Sequence, residues 1–239
     1  MLQDQKAIVV GGSSGIGLAC AAALSGAGAE VWITGRSAEK LTAAADGIAG
    51  KVTGRAVDGR DEAAMRALFA SVGSFDHLVL ALGGDSAIGR FVDIDDTRFR
   101  TGFDAKFWAY MTAVRAGAPH LRAGGSLTFI TGAASRRAIA GFSGLAAVNG
   151  AIDAMVGPLA LEFAPTRVNA VSPGLIATPY WDRLPAARRD AMYAESVASV
   201  PVHRVGTAAD IAGAVLFLVA NSFTTGIVLE CDGGRRLVG

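Results

Sequence analysis

Cysteine, lysine and histidine are all scarce in this chain of 239 residues. The two cysteines, Cys20 and Cys231, lie near opposite ends. That rules out a dense disulfide framework and fits two buried free thiols in a reducing cytoplasm. The three histidines, His77, His120 and His203, are dispersed. They offer no metal-ligand set and no nucleophile–base pair. Charge is nearly balanced, at +1, which gives no reason to expect a nucleic-acid or membrane partner. No charged-then-apolar leader opens the sequence, and no apolar run reads as long enough to span a bilayer. Repeats, low-complexity tracts and evident linkers are missing too.

What remains is rich in apolar residues, at 51%, with only 18% charged. This balance fits one α/β domain over residues 1–239, with a buried sheet between two helix layers. The chain is organised around Val9-Val10-Gly11-Gly12-Ser13-Ser14-Gly15-Ile16-Gly17. An apolar run at 6–10 precedes it and reads as a parallel strand. An Ala-rich segment at 16–24 follows and reads as a helix. Gly11 permits a tight turn, and Gly15 and Gly17 clear side chains where backbone must approach a ligand and the sheet. With Ser13, Ser14 and Ile16 they form a strand-to-helix turn whose free N–H groups and dipole suit a pyrophosphate.

Further strands are expected at 30–34, 51–57, 76–81, 126–131, 167–171 and 227–231, with helices between them. Seven parallel strands joined by right-handed crossovers give a Rossmann-like, doubly wound sheet, with a crevice at the strands' carboxyl ends. The second strand ends in Thr34-Gly35-Arg36-Ser37 without an acid to hold a ribose 2′-hydroxyl. Arg36 instead offers a donor fork for a 2′-phosphate, so the expected coenzyme is NADP(H). Asp58 is placed to accept from an adenine amino group, to cap the helix beginning near Asp61, or both. Gly83 and Gly84 again allow close approach of backbone to a ligand. One long helix is expected over 95–121 and another over 143–163. Residues 179–203 read either as a lid or as a surface helix.

Taken together, the turn at Gly11 to Gly17, the run Arg167-Val168-Asn169-Ala170-Val171-Ser172-Pro173-Gly174 and the tail Asp232-Gly233-Gly234 resemble the short-chain dehydrogenase/reductase family. The resemblance covers essentially the whole chain. It implies NAD(P)-linked oxidation or reduction of a small alcohol or carbonyl, usually in a homodimer or homotetramer. It also implies that Pro173, Gly174, Ile176 and Thr178 surround the nicotinamide end and the phosphates.

The family's chemical residues do not align. Its Tyr falls at Leu145, its Lys at Asn149, its strand-end Ser at Gly132 beside Thr131, and its helix-borne Asn at Lys106. The Lys and Asn positions are thus exchanged, which points to Lys106 acting from the long helix. The alternatives are a pair with a neighbouring acid or a snorkelling surface lysine. Ser143 reads as a helix N-cap or as a substrate hydrogen-bond donor. Ser135, Arg136 and Arg137 lie in the loop before it, where the arginines read as solvated or as recognising an anion. Two functions remain open: an NADP(H)-dependent oxidoreductase using Lys106, Thr131, Ser143 and Asn149, or a non-catalytic NADP(H)-binding protein. The apolar residues Phe107, Trp108, Met111, Ile152, Met155 and Leu159 suit either a subunit contact or the core.

Overall fold

A computed structural model describes residues 1–83 and 87–238; Gly84 lies outside them. The chain runs β1 (Lys6–Val10), α1 (Gly15–Gly26), β2 (Glu30–Gly35), α2 (Ala38–Asp46), β3 (Val52–Ala56), α3 (Glu62–Val72) and β4 (Phe75–Leu80). It continues through α4 (Asp96–Phe103), a π-helical turn (Asp104–Trp108), α5 (Ala109–Gly117), β5 (Leu121–Ile130) and α6 (Ser143–Glu162). Then come β6 (Arg167–Pro173), β7 (Ile176–Ala177), α7 (Ala186–Ser199), β8 (Gly206–Thr207), α8 (Ala208–Ala220) and β9 (Val228–Cys231).

Seven strands form one parallel sheet, as the sequence predicts, and their order is β3-β2-β1-β4-β5-β6-β9. The strands alternate faces with period two, and this feeds two separate cores. Ile8, Val10, Leu78 and Phe129 meet Met65, Tyr110 and Ile152 from α3, α5 and α6. Val9, Val31, Val79 and Val171 meet Cys20, Leu41 and Val215 from α1, α2 and α8. The strand order reverses between β1 and β4, so a crevice opens at their carboxyl ends.

Local signals explain most boundaries. Ser37 accepts from the Lys40 N–H and caps α2. Thr207 and Asp210 form a reciprocal capping box on α8.

Other expectations need correction. Asp61, not Asp58, caps α3. Ser143 is the first residue of α6 and makes no capping bond. The predicted long helix is divided by the π-helical turn, and β5 begins earlier, at Leu121. The small β7–β8 pair has no counterpart in the sequence reading. Cys20 is buried, whereas Cys231 is only partly so. Finally, α6 has the length and apolar composition to cross a bilayer. Its Val148, Asn149, Ile152, Val156 and Leu159 are nevertheless buried in the fold. Ile152 and Leu159 pack in the same core as Met111, with Phe107 and Met155 against it, so of the six apolar candidates only Trp108 faces outward.

Candidate active site

The crevice is a cavity of about 1000 Å³, at the upper end of the range for small-molecule sites, roughly 300–1,000 Å³. At one end the β1–α1 turn supplies Gly11, Ser13, Ser14, Gly15 and Ile16 to its wall. Ser14 precedes α1 without a side-chain capping bond, so the helix's N-terminal groups are left for a ligand. Gly11 has φ +92°, and a Cβ there would lie 2.8 Å from the Ala81 carbonyl oxygen. Gly17 does not line the cavity. It holds the turn together, since a Cβ there would run into the Gly11 carbonyl oxygen. This glycine-lined cradle at an uncapped helix start fits a dinucleotide pyrophosphate.

Beyond β2, Arg36 and Asp58 line the same cavity, as does Arg60, which the sequence reading did not single out. Arg60 forks onto Asp58, with Nε to Oδ1 at 3.0 Å and Nη2 to Oδ2 at 2.6 Å. The Arg60 hydrogen bonds, with help from the Arg36 charge, hold the Asp58 carboxyl down at about 2. The Asp58 fork depends on turn geometry that spacing alone does not show. Gly83 lies at the end of β4 on the cavity wall. Pro173, Gly174, Ile176 and Thr178 line it from the β6 side. Gly174 packs against the backbone of Asp232, where a Cβ would lie 2.8 Å from the Asp232 Cα.

A buried lysine marks the rest of the wall. Lys106 is 6% exposed and projects from the π-helical turn into the fold. Its Nζ donates to the Thr131 carbonyl oxygen at 2.9 Å and to Asn149 Oδ1 at 2.8 Å. An ammonium has three N–H donors, so one remains. Lys106, Thr131 and Asn149 all line the cavity. Burial pushes the Lys106 ammonium down to about 8, against an opposing pull from the Asp153 carboxylate. The Thr131 hydroxyl donates to the Val171 carbonyl at 3.3 Å.

Gly132 completes the arrangement, because a Cβ there would lie 2.9 Å from Asn149 Nδ2. The Asn149 amide thus occupies the space into which a larger residue at 132 would project. Leu145 presents an aliphatic side chain to the same wall. Ser143 is exposed and lies outside the lining, so the structure does not bring it to the other candidates. Ser135 is also engaged elsewhere, donating to Asp153 Oδ2 at 2.6 Å. Residues 179–203, unassigned between lid and surface helix, contribute Tyr180, Trp181, Met192 and Glu195 to the wall. No cluster of metal-ligating residues occurs among the described residues.

Comparison with known proteins matches this architecture. The family model described as enoyl-(acyl carrier protein) reductase matches residues 10–236. A short-chain dehydrogenase/reductase, ATR9, from Stachybotrys chlorohalonatus is 29% identical, over 99% of this chain and 98% of its own. A 4-formylbenzenesulfonate dehydrogenase from Comamonas testosteroni is 32% identical, over 99% of both chains. A crystal structure of a small-chain dehydrogenase in complex with NADPH is 37% identical, with a TM-score of 0.84, over 98% of this chain and 99% of that one.

Proposed function

Because the chain belongs to the short-chain dehydrogenase/reductase family, we propose that it is an NADP(H)-dependent oxidoreductase in which Lys106 replaces the usual proton donor. The observation that carries this reading is the buried Lys106 ammonium on the cavity wall, held by Thr131 and Asn149 with one N–H to spare.

When bound, a nicotinamide coenzyme supplies the hydride. Gly11 to Ile16 would cradle its diphosphate, and Arg36 would take its 2′-phosphate beside Asp58 and Arg60. The solved relative with NADPH supports that choice. Pro173, Gly174, Ile176 and Thr178 would surround the nicotinamide. Lys106 then orients the substrate oxygen and gives it a proton as the carbonyl becomes an alcohol. Run backwards, the neutral amine takes that proton. A proton donor with its pKa near ambient pH is suited to both directions. Asn149 positions the amine, and Leu145 keeps the wall apolar, which strengthens the electrostatics. Pro179–Arg183 and α7 act as a lid over a single domain spanning residues 1–239. The family's habit supports a small-molecule substrate and a homodimer or homotetramer, and the two free cysteines support a cytoplasmic setting.

A second reading rests on Leu145 and Asn149, at which the family's Tyr and Lys are absent: a non-catalytic NADP(H)-binding protein. Mixing the protein with NADPH and a panel of aldehydes, ketones and quinones separates the two. Coenzyme oxidation above background for any member is the expected result. Tight NADPH binding without single-turnover oxidation across the panel would establish the second reading.

A further inference from the structure

Two adjacent arginines in the loop between β5 and α6 have opposite fates. Arg136 turns away from the cavity, to Asp153 at 3.6 Å and Glu230 at 3.4 Å. Arg137 lines the cavity, is half-buried, and has no hydrogen bond or ion pair among the described residues. The same cavity takes apolar side chains from Ile139, Phe142, Leu145, Tyr180, Trp181 and Met192. The Glu195 carboxylate lines the cavity as well but does not pair with Arg137. Arg235 also lines the cavity, and its guanidinium already donates to the Ser199 hydroxyl.

We propose that Arg137 selects substrates in which a carbonyl or alcohol sits on an apolar, aromatic-sized body carrying a carboxylate or sulfonate. This rests on the oxidoreductase reading above for the identity of the reacting group. A guanidinium on the cavity wall with no partner among the described residues keeps its N–H donors for a ligand. Its planar fork matches the two oxygens of an anionic oxyacid group. The coenzyme does not account for Arg137. The diphosphate cradle lies at the β1–α1 turn, and Arg36 lies further out, past β2. The loop carrying Arg137 follows β5, on the other side of β1 and beyond β4. The apolar wall would receive the ring, and Lys106 would meet the oxygen that reacts.

The test compares 4-carboxybenzaldehyde with its methyl ester, binding to protein saturated with NADP+ and followed by calorimetry. Wild type should bind the carboxylate about tenfold or more tightly than the ester. Arg137→Gln should bring that ratio to about one, and Arg137→Lys should retain part of the preference. Equal binding of both probes by wild type would overturn the assignment. So would a preference that survives in Arg137→Gln, or a loss of NADPH affinity in that variant with the ratio unchanged. Turnover of the same aldehydes with NADPH separates the two layers. An Arg137-dependent preference without turnover keeps this assignment and removes the oxidoreductase reading. Turnover of both aldehydes without preference does the reverse.

Discussion

Lys106 Nζ and Asn149 Oδ1 lie 2.8 Å apart, joining the π-helical turn to the middle of α6. The sequence analysis reads the two as exchanged between family positions, and the fold brings them into direct contact. An ammonium supplied from the opposite wall still reaches the carboxyl end of β5, through the Thr131 carbonyl.

Replacing Lys106 tests the proton route. Lys106→Ala should lower carbonyl reduction by about 10²–10⁴-fold, the typical cost of losing a positioned acid. In wild type, kcat for reduction should fall as pH rises through about 8, where the buried ammonium loses its proton. Alcohol oxidation should rise over the same interval, because it needs the neutral amine. Initial rates from pH 6 to 10 provide the check, and a flat profile in both directions would remove Lys106 from the chemistry.

Coenzyme choice is predicted to lie with Arg36. Arg36→Asp should weaken NADPH binding by about ten- to a hundredfold while leaving NADH affinity within a few-fold, since a charge-assisted hydrogen bond contributes about 1.5–3 kcal/mol. Titration calorimetry with the two reduced coenzymes would expose a failure as equal losses for both.

Gly132→Ser should disturb the Lys106–Asn149 contact without straining the backbone, because residue 132 is extended with φ 168°. The new side chain meets Asn149 Nδ2 from a Cβ position 2.9 Å away. The expected result is a fall in kcat with NADPH affinity retained, measured by steady-state kinetics alongside coenzyme titration. Unchanged kcat would show that Asn149 does not position the amine.

Acid should loosen the sheet at His77. Its ring is buried between Ser126 Oγ at 2.8 Å and Gln5 Oε1 at 2.7 Å. Burial lowers its pKa from 6.5 to about 4, with the Asp76 charge partly opposing and the Arg167 charge adding to the fall. Between those values the unfolded chain binds the proton more readily. The contribution of the neutral ring is therefore full above about 6.5 and is lost progressively as pH falls from there to about 4. By pH 5 the loss should reach roughly 2 kcal/mol. Urea unfolding at pH 7 and pH 5 should show it in wild type and much less of it in His77→Asn.

The glycine turn and the alternation of apolar runs with helices made the seven-stranded sheet legible, because both follow from backbone geometry that sequence reports directly. That Arg36, Asp58, Lys106 and Asn149 line one cavity was legible for a related reason, as each sits at a fixed offset from a strand end or a motif. The missed features depend on tertiary geometry. Arg60 acts through a fork onto a residue two places away. The β7–β8 pair is two residues long on each side, too short for any periodicity. Arg122-Ala123-Gly124-Gly125 falls between the expected helix and strand, yet it belongs to β5, whose pairing with β4 shifts register between Phe75 and His77. Ser143 looked like a cap because Ser favours that position, but helical geometry starts at Ser143 itself, after Phe142.

The wide winding at Asp104–Trp108 has a consequence for how the amine is kept in place. Ordinary α-helix advances about 100° per residue. Removing Phe107 or Trp108 from that loosened coil would let it close to ordinary α-helix, bringing Lys106 one position nearer α5 and turning it around the axis. Lys106 would leave the interior without a single substitution. Chain length within five residues thus sets where the lysine faces as firmly as its two hydrogen bonds do.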